Sequence, residues 1–212
     1  MKSSTTLALG MTLAISSLAA VANTAFGATS MAHKHMGHVI TARQGTPDGK
    51  GYIPTAIDAA KVAVKHAGIA ASKPADLAWM KDHTGDVLKA VAPKMGVGVL
   101  QAAEGAVKHI NLAANSKDAS KNVHVHAVHV AASSQNVANW SKEIVDHGNE
   151  VLAATDAATA AEHLKPVVML TSQLLGGVDA NGDGKTSWQA GEGGLMVAQK
   201  HMGFMVKGEN MN

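Results

Sequence analysis

Apolar residues recur three or four positions apart over most of the chain, the spacing that places side chains on one face of an α-helix. Alternation with a period of two is almost absent, so the pattern predicts an all-α fold. Proline, glycine and capping residues divide the pattern into separate helices. The predicted helices cover about 54–72, 75–91, 99–115, 120–153 and 155–175, and a short helix after Trp188 or Gly194 closes the chain.

One segment of the predicted helical region occurs twice. Residues 59–71 match residues 102–114, and both contain the run Ala-Val-Lys-His, which ends at His66 in one copy and at His109 in the other. The same offset of 43 residues places His83 on His126. The repeat predicts two copies of one helical hairpin within residues 54–153, each with a histidine on both arms.

The repeated histidines share helix faces with apolar residues, and buried imidazoles need partners. A second ligand follows one turn later in His83-x-x-Asp86 and in His126-x-x-His129, as in metal-binding helical bundles. Imidazole with carboxylate suits copper, zinc, nickel or iron. The candidate transition-metal ligands are His66, His83, Asp86, His109, His126 and His129. If they form one shared site, the four matched rings face a common volume.

Two other readings of the repeated histidines stay open. A pair of them is also the axial ligand set of haem b, which would make the bundle a redox carrier, as would a di-metal site. Alternatively, the repeat duplicates a histidine with a purely structural role. His124 is expected to be exposed, and His147, His163 and His201 are expected to be surface or packing residues.

Residues 29–53 show no apolar periodicity and contain a Gly/Pro-rich stretch, so we expect a flexible N-terminal arm there. His33, His35 and His38 alternate with Met31 and Met36, a mixed nitrogen and sulfur ligand set that suits copper or nickel. The arm is therefore a candidate for metal capture, or else a polar tail that happens to be rich in histidine.

The N-terminal residues 1–28 are typical of a secretory signal peptide, with Lys2 before an apolar run and small residues near the expected cleavage site. An uncleaved anchor is the alternative, but the run is short for a membrane span. With cleavage, the mature protein is expected to be periplasmic or secreted, without a membrane anchor.

Composition narrows the chemistry. The chain contains 12 histidines, 11 methionines and no cysteine, which excludes disulfides, thiolate metal sites and c-type haem attachment. A formal charge of +2 leaves no sign of a nucleic-acid partner. The sequence has no Gly-x-Ser-x-Gly, His-Glu-x-x-His or phosphate-loop motif, so an enzyme is not expected. Metal ions are the expected partners, and no protein partner is indicated.

The most specific local motif starts at Asp179. Oxygen-bearing side chains alternate through Asp179, Asn181 and Asp183, and Gly184 permits a sharp turn. The segment resembles the calcium-binding loop of an EF hand. The resemblance implies that Lys185 offers its carbonyl and Ser187 a hydroxyl or a bridging water. Ala190 stands where an EF hand has its bidentate glutamate, and Glu192 is the expected substitute.

The sequence thus predicts three parts after the signal peptide: the arm at 29–53, the duplicated hairpin bundle at 54–153, and a C-terminal helix with the calcium loop and a final short helix at 154–212. The whole resembles a His-rich, EF-hand-containing exported bacterial protein. The predicted function is metal binding, with calcium at the loop and a transition metal at helix histidines. A haem b or di-metal redox carrier and a non-metal structural protein are the alternatives.

Overall fold

The computed structural model describes residues 30–211, so the predicted signal peptide lies outside the described residues. Within this range the chain is helical and contains no β-strand, which confirms the all-α prediction. The helices are α1 (Met31–Ile40), α2 (Tyr52–Ala71), α3 (Leu77–Val91), α4 (Val99–Ala114), α5 (Lys121–Ala153), α6 (Ala157–Gly176) and α7 (Leu195–Gly208).

Side-chain caps begin four of these helices. Ser30, Asp76, Ser120 and Asp156 precede α1, α3, α5 and α6, and each accepts a hydrogen bond from the backbone N–H three residues later. Such a cap satisfies one of the amides that the first turn leaves without an intrahelical partner. The caps therefore fix where these helices begin.

Helix α1 corrects the prediction of a flexible arm. Ala32, Met36 and Val39 are buried along one face of this helix. Asp118, in the connection before α5, accepts hydrogen bonds from the backbone N–H groups of Met31 at 2.7 Å and Ala32 at 3.2 Å. The three apolar positions have helical spacing, but the histidines between them concealed the pattern in the sequence.

A single eight-residue pattern of burial recurs through the helices. In every copy the first, fifth and eighth residues are buried, and the fourth residue is a histidine. Helix α5 carries two copies and each other helix carries one. The copies are 32–39, 63–70, 80–87, 106–113, 123–130, 144–151, 160–167 and 198–205. We call this pattern the histidine repeat.

The buried positions of the histidine repeat are mostly small, with alanine at the first position of five copies. Small side chains let helices pack closely and bring their neighbouring faces within reach of each other. Because the histidine precedes a buried residue, it lies at the edge of the packed face, close to the adjacent helix.

The two halves of the chain pair their repeats in the same order. In the first half α1 packs against α4 and α2 packs against α3. In the second half α5 packs against both α7 and α6. Its first copy of the repeat meets α7 and its second copy meets α6. The halves differ in one connection: residues 41–51 separate α1 from α2, whereas α5 is continuous.

No helix between residues 30 and 211 combines the length and the apolar character needed to cross a bilayer.

Candidate metal centres

The histidines of the repeat meet in pairs across helix contacts. The ring centres lie 5.2 Å apart for His35 and His109, 5.5 Å for His66 and His83, 5.3 Å for His126 and His201, and 6.2 Å for His147 and His163. Every repeat histidine thus faces one from another helical segment. Within residues 30–211, three of these pairs have a third ligand that brings all three donor atoms within 4.8 Å of one another.

The first set, the α1–α4 cluster, consists of His35, His38 and His109. The Nδ1 atom of His109 lies 3.1 Å from Nδ1 of His35 and 3.2 Å from Nδ1 of His38. His35 and His38 are one turn apart on α1, so both rings face α4. His109 is only 8% exposed. The cluster therefore joins α1 to the rest of the bundle.

The α5–α7 cluster repeats this arrangement with His126, His129 and His201. The Nδ1 atom of His201 lies 3.1 Å from Nδ1 of His126 and 3.2 Å from Nδ1 of His129. Again two histidines one turn apart on one helix face a single histidine on another. The two clusters have matching distances although they are built from different helices.

The α2–α3 cluster replaces one imidazole with a carboxylate. His66 and His83 approach to 3.3 Å between their Nδ1 atoms, and the Oδ2 atom of Asp86 lies 3.3 Å from Nδ1 of His66. Lys89 donates a hydrogen bond to Asp86 at 2.9 Å and lowers the pKa of its carboxyl group. His66 and Asp86 line a surface pocket of about 430 Å³, so solvent has access to this cluster.

The distances between nitrogen atoms match metal coordination. Imidazole nitrogens bind zinc at about 2.0–2.1 Å, and two such ligands in a tetrahedral site are about 3.3 Å apart. The five Nδ1–Nδ1 distances in the three clusters are 3.1–3.3 Å. In the two clusters of three histidines, one nitrogen faces two others, and a single N–H donates to only one of them at a time. A cation would engage all three lone pairs together.

Burial favours the neutral form of the central histidine in each of the two three-histidine clusters. The pKa of His109 is lowered to about 4, mainly by burial and in smaller part by the charges of His38, His35 and Arg43. The pKa of His201 is also lowered to about 4, mainly by burial and in smaller part by the charges of His129 and His126. Since a metal binds the neutral imidazole, these rings are ready to bind at neutral pH without first losing a proton.

Aromatic rings lie against the clusters, although the chain has few of them. Tyr52 lies 5.5 Å from His109, and Trp79 lies 4.4 Å from His83. In the α5–α7 cluster Trp188 stacks on His129 at 4.3 Å, and Phe204 lies 5.3 Å from His126. Each of these aromatic rings covers part of one imidazole and limits the orientations that it can adopt.

The EF-hand-like segment forms the connection between α6 and α7. The carboxylate of Asp179 accepts hydrogen bonds from the backbone N–H groups of Gly182, Asp183 and Gly184. The Glu192 carboxylate is 2% exposed and accepts from the N–H of Ser187 at 3.0 Å. Among residues 30–211, no group of three close donors comes from this loop. The calcium assignment of Asp179, Asn181, Asp183, Lys185, Ser187 and Glu192 stays a prediction.

Asn136 of α5 anchors the end of this loop. Its Nδ2 donates to the carbonyls of Gln189 at 2.8 Å and Gly193 at 3.2 Å, and its Oδ1 accepts from the N–H of Gly191 at 2.8 Å. This anchored stretch follows Trp188, the residue that stacks on His129. The loop and the α5–α7 cluster are therefore joined through a short, hydrogen-bonded segment.

The structure separates the histidines that the 43-residue offset predicts to lie together. His66, His83 and Asp86 come together, but His109 belongs to the α1–α4 cluster and His126 with His129 to the α5–α7 cluster. The four matched rings therefore do not share one volume. Of the histidines assigned to the arm, His35 and His38 join His109, whereas His33 lies 3.1 Å from the carboxylate of Glu209.

His201 belongs to the α5–α7 cluster, although the sequence predicts a surface or packing residue at this position. The match at an offset of 43 residues does not extend to α7, so it gives no signal for His201. The buried residues around this histidine are Ala198, Met202 and Met205, and they have the same spacing as those around His109. The spacing of buried positions could therefore have indicated that His201 is equivalent to His109. His147 and His163 are likewise predicted to be surface or packing residues, and they also occupy the fourth position of a copy of the histidine repeat.

Compared with known proteins, the chain matches no family model, and neither a curated protein nor a solved structure shows significant similarity to it.

Proposed function

We propose that this protein is an exported metal-binding protein that holds several transition-metal ions between paired helices and so stores or buffers them. The observation that carries the proposal is the convergence of three donor atoms in each of three clusters, all built from one histidine repeat. Unrelated surface histidines have no reason to adopt one position in the helix and one separation between nitrogens.

The multiplicity of the clusters favours storage over catalysis. An enzyme needs one site whose surroundings are specialised for one substrate, whereas capacity increases with the number of similar sites. The α1–α4 and α5–α7 clusters have the same ligands and nearly the same distances. Such duplication adds bound ions per chain without adding a new chemical environment.

The ligands favour borderline divalent ions. Imidazole nitrogens and one carboxylate suit zinc, copper(II), nickel and iron(II), and the lack of cysteine argues against a site selective for softer ions. Three protein ligands leave at least one coordination position for water, as in exchangeable zinc sites. We take zinc and copper(II) as the principal candidates.

The geometry argues against haem b. Two axial histidines must lie on opposite faces of a porphyrin, and no porphyrin fits between rings whose Nδ1 atoms are at most 3.3 Å apart. The short separations also favour one ion per cluster.

Export and calcium are further parts of the proposal. Export is supported by the apolar N-terminal segment after Lys2. Calcium at the α6–α7 loop is supported by the order of Asp179, Asn181 and Asp183 and by the buried carboxylate of Glu192. A calcium titration of the mature chain tests it: Asp183→Ala and Glu192→Gln should each weaken binding, and calcium that causes no thermal shift in the wild type would refute it.

The main test measures bound metal and stability on the untagged mature chain. Zinc at 100 times its dissociation constant stabilises the fold by about 2.7 kcal/mol per site. For a chain of this size that equals a rise in melting temperature of roughly 5–10 °C for one site. His66→Ala, His109→Ala and His201→Ala should each remove one tightly bound ion.

The matched control is His124→Ala, because His124 is exposed on α5 and belongs to no cluster. This variant should keep the wild-type stoichiometry. A wild-type chain that binds no zinc, copper, nickel or iron above background would refute the proposed function and favour a purely structural role for the histidines.

A further inference from the structure

The rings of the fourth pair of repeat histidines are tilted to each other as in the other three pairs, at a larger separation. The rings of His147 on α5 and His163 on α6 are tilted by 37° at a separation of 6.2 Å. The rings of His66 and His83 are tilted by 36° at 5.5 Å. Both histidines of the fourth pair are only partly exposed, as are those of the α2–α3 pair.

A third ligand also occurs at the matching position of the repeat. In the three clusters the added ligand is always the seventh residue of one copy, namely His38, Asp86 or His129. In the copy that contains His147, the seventh residue is Glu150. The carboxylate of Glu150 therefore lies one helical turn from His147 on the same face of α5.

We propose that His147, His163 and Glu150 form a fourth transition-metal site, of the same two-imidazole and one-carboxylate class as the α2–α3 cluster. This proposal rests on the proposed function, since it extends the same chemistry to the remaining pair. Each of the eight repeat histidines then belongs to one of four sites, two in each half of the chain.

The fourth site is weaker than the other three for a structural reason. Its rings are further apart, and no aromatic side chain among residues 30–211 lies against either of them. Glu150 is exposed, so its side chain must give up rotamer freedom and hydration to bind an ion. The exposure also means that the carboxylate can turn toward the histidines without repacking the core.

The experiment is equilibrium dialysis of the full mature chain against zinc, with variants matched by position. The wild type should bind four ions, the last one at least tenfold more weakly than the others, and His163→Ala should bind three. Glu150→His should tighten the fourth site at least tenfold, because it supplies the imidazole that His38 and His129 supply elsewhere. His124→Ala should leave all four ions in place.

Long-range ¹H–¹⁵N spectra of the imidazoles, recorded during the same titration, identify the site. Zinc should shift the ring signals of His147 and His163 in the last binding step of the titration. Glu150→Ala should weaken zinc binding in that step without unfolding the protein, because Glu150 is exposed. Three ions in the wild type and in His163→Ala, with no gain in Glu150→His, would overturn the fourth site but leave the proposed function intact. A wild-type chain that binds no zinc at all would overturn both the fourth site and the proposed function.

Discussion

The indole ring of Trp188 stacks on the imidazole of His129, with ring centres 4.3 Å apart and planes 27° from parallel. This contact places a fluorophore directly against the α5–α7 cluster. Because copper(II) is paramagnetic and quenches emission at short range, the ring reports on occupancy of that cluster. A diamagnetic ion in the same site quenches much less.

We predict that copper(II) quenches Trp188 in a chain that carries Trp79→Phe and Trp140→Phe, so that Trp188 is the remaining tryptophan. His201→Ala in this background should abolish the saturable part of the quenching, because it removes the ligand that faces both other histidines. Fluorescence titration with copper(II), and with zinc as the diamagnetic control, measures both effects. Equal saturable quenching with and without His201 would contradict the prediction.

The unloaded protein should lose stability as the pH falls from about 6.5 to 4. His109 has a folded pKa of about 4 and an ordinary pKa near 6.5 when unfolded, so the unfolded chain takes up the proton first. The stabilisation from the neutral form is complete above pH 6.5 and is lost as the pH falls through 4. The loss amounts to at most about 3 kcal/mol for this buried residue.

Urea unfolding in the presence of a chelator, from pH 8 to 4.5, measures this dependence. His109→Asn should make the pH profile less steep, since the variant has no imidazole to protonate at this position and only the contribution of His201 remains among the two strongly shifted histidines. His124→Asn changes an exposed histidine and serves as the control that keeps the wild-type slope. A His109→Asn profile parallel to the wild type would show that the buried ring does not control acid stability.

Glu209, the residue that follows α7, should be important for holding α7 against α5 and α1. Its carboxylate accepts hydrogen bonds from the hydroxyl of Ser120 and from Nδ2 of Asn122, and it lies 3.1 Å from Nε2 of His33. Burial raises the pKa of Glu209, but these hydrogen bonds outweigh it and leave the pKa lowered.

Glu209→Ala should therefore reduce the free energy of unfolding by about 1–3 kcal/mol, because it leaves partly buried donors without an acceptor. Chemical denaturation at pH 7 measures this change. Glu143→Ala, on the exposed face of α5, is the control and should change stability by less than about 0.5 kcal/mol. Equal small effects for both variants would contradict the role assigned to Glu209.

Gly105 provides the space that Tyr52 occupies beside His109. A methyl group at this position would lie 2.5 Å from the ring of Tyr52, so Gly105→Ala must displace that ring. We predict a loss of about 1–3 kcal/mol despite the better helix propensity of alanine. The α1–α4 cluster should also bind zinc more weakly.

Gly68→Ala is the matched control, because Gly68 lies inside α2 and a methyl group there meets no atom within 4 Å. This variant should gain roughly 0.5–1 kcal/mol from helix propensity. Thermal unfolding of both variants, together with zinc titration, tests the pair. Stabilisation by both substitutions would show that Tyr52 has other favourable positions.

The sequence was sufficient to predict the helical class and the positions of most helices. The bounds of α3, α4 and α5 lie within two residues of those predicted, because apolar spacing and the side-chain cap of Ser120 are local signals. His66, His83 and Asp86 lie together because their two helices form one predicted hairpin, but the single site predicted to join them to His109, His126 and His129 does not form. Local spacing is enough for such a contact.

The partners of His109 and His126 were beyond sequence reasoning. Which helix packs against α4 depends on how the whole chain folds, and α1 is separated from α4 by two other helices. The four-residue match around His66 and His109 covers only two of the eight copies of the buried spacing.

The continuity of α5 has a consequence for how ions would load. With a rise of about 1.5 Å per residue, its two repeat histidines, His126 and His147, are held roughly 30 Å apart on one rigid rod. The Debye length at physiological ionic strength is about 8 Å, so divalent ions at these two positions scarcely repel each other. Occupancy at each end of the rod would then follow its own affinity, and the chain would respond in graded steps over a wide range of free metal concentration.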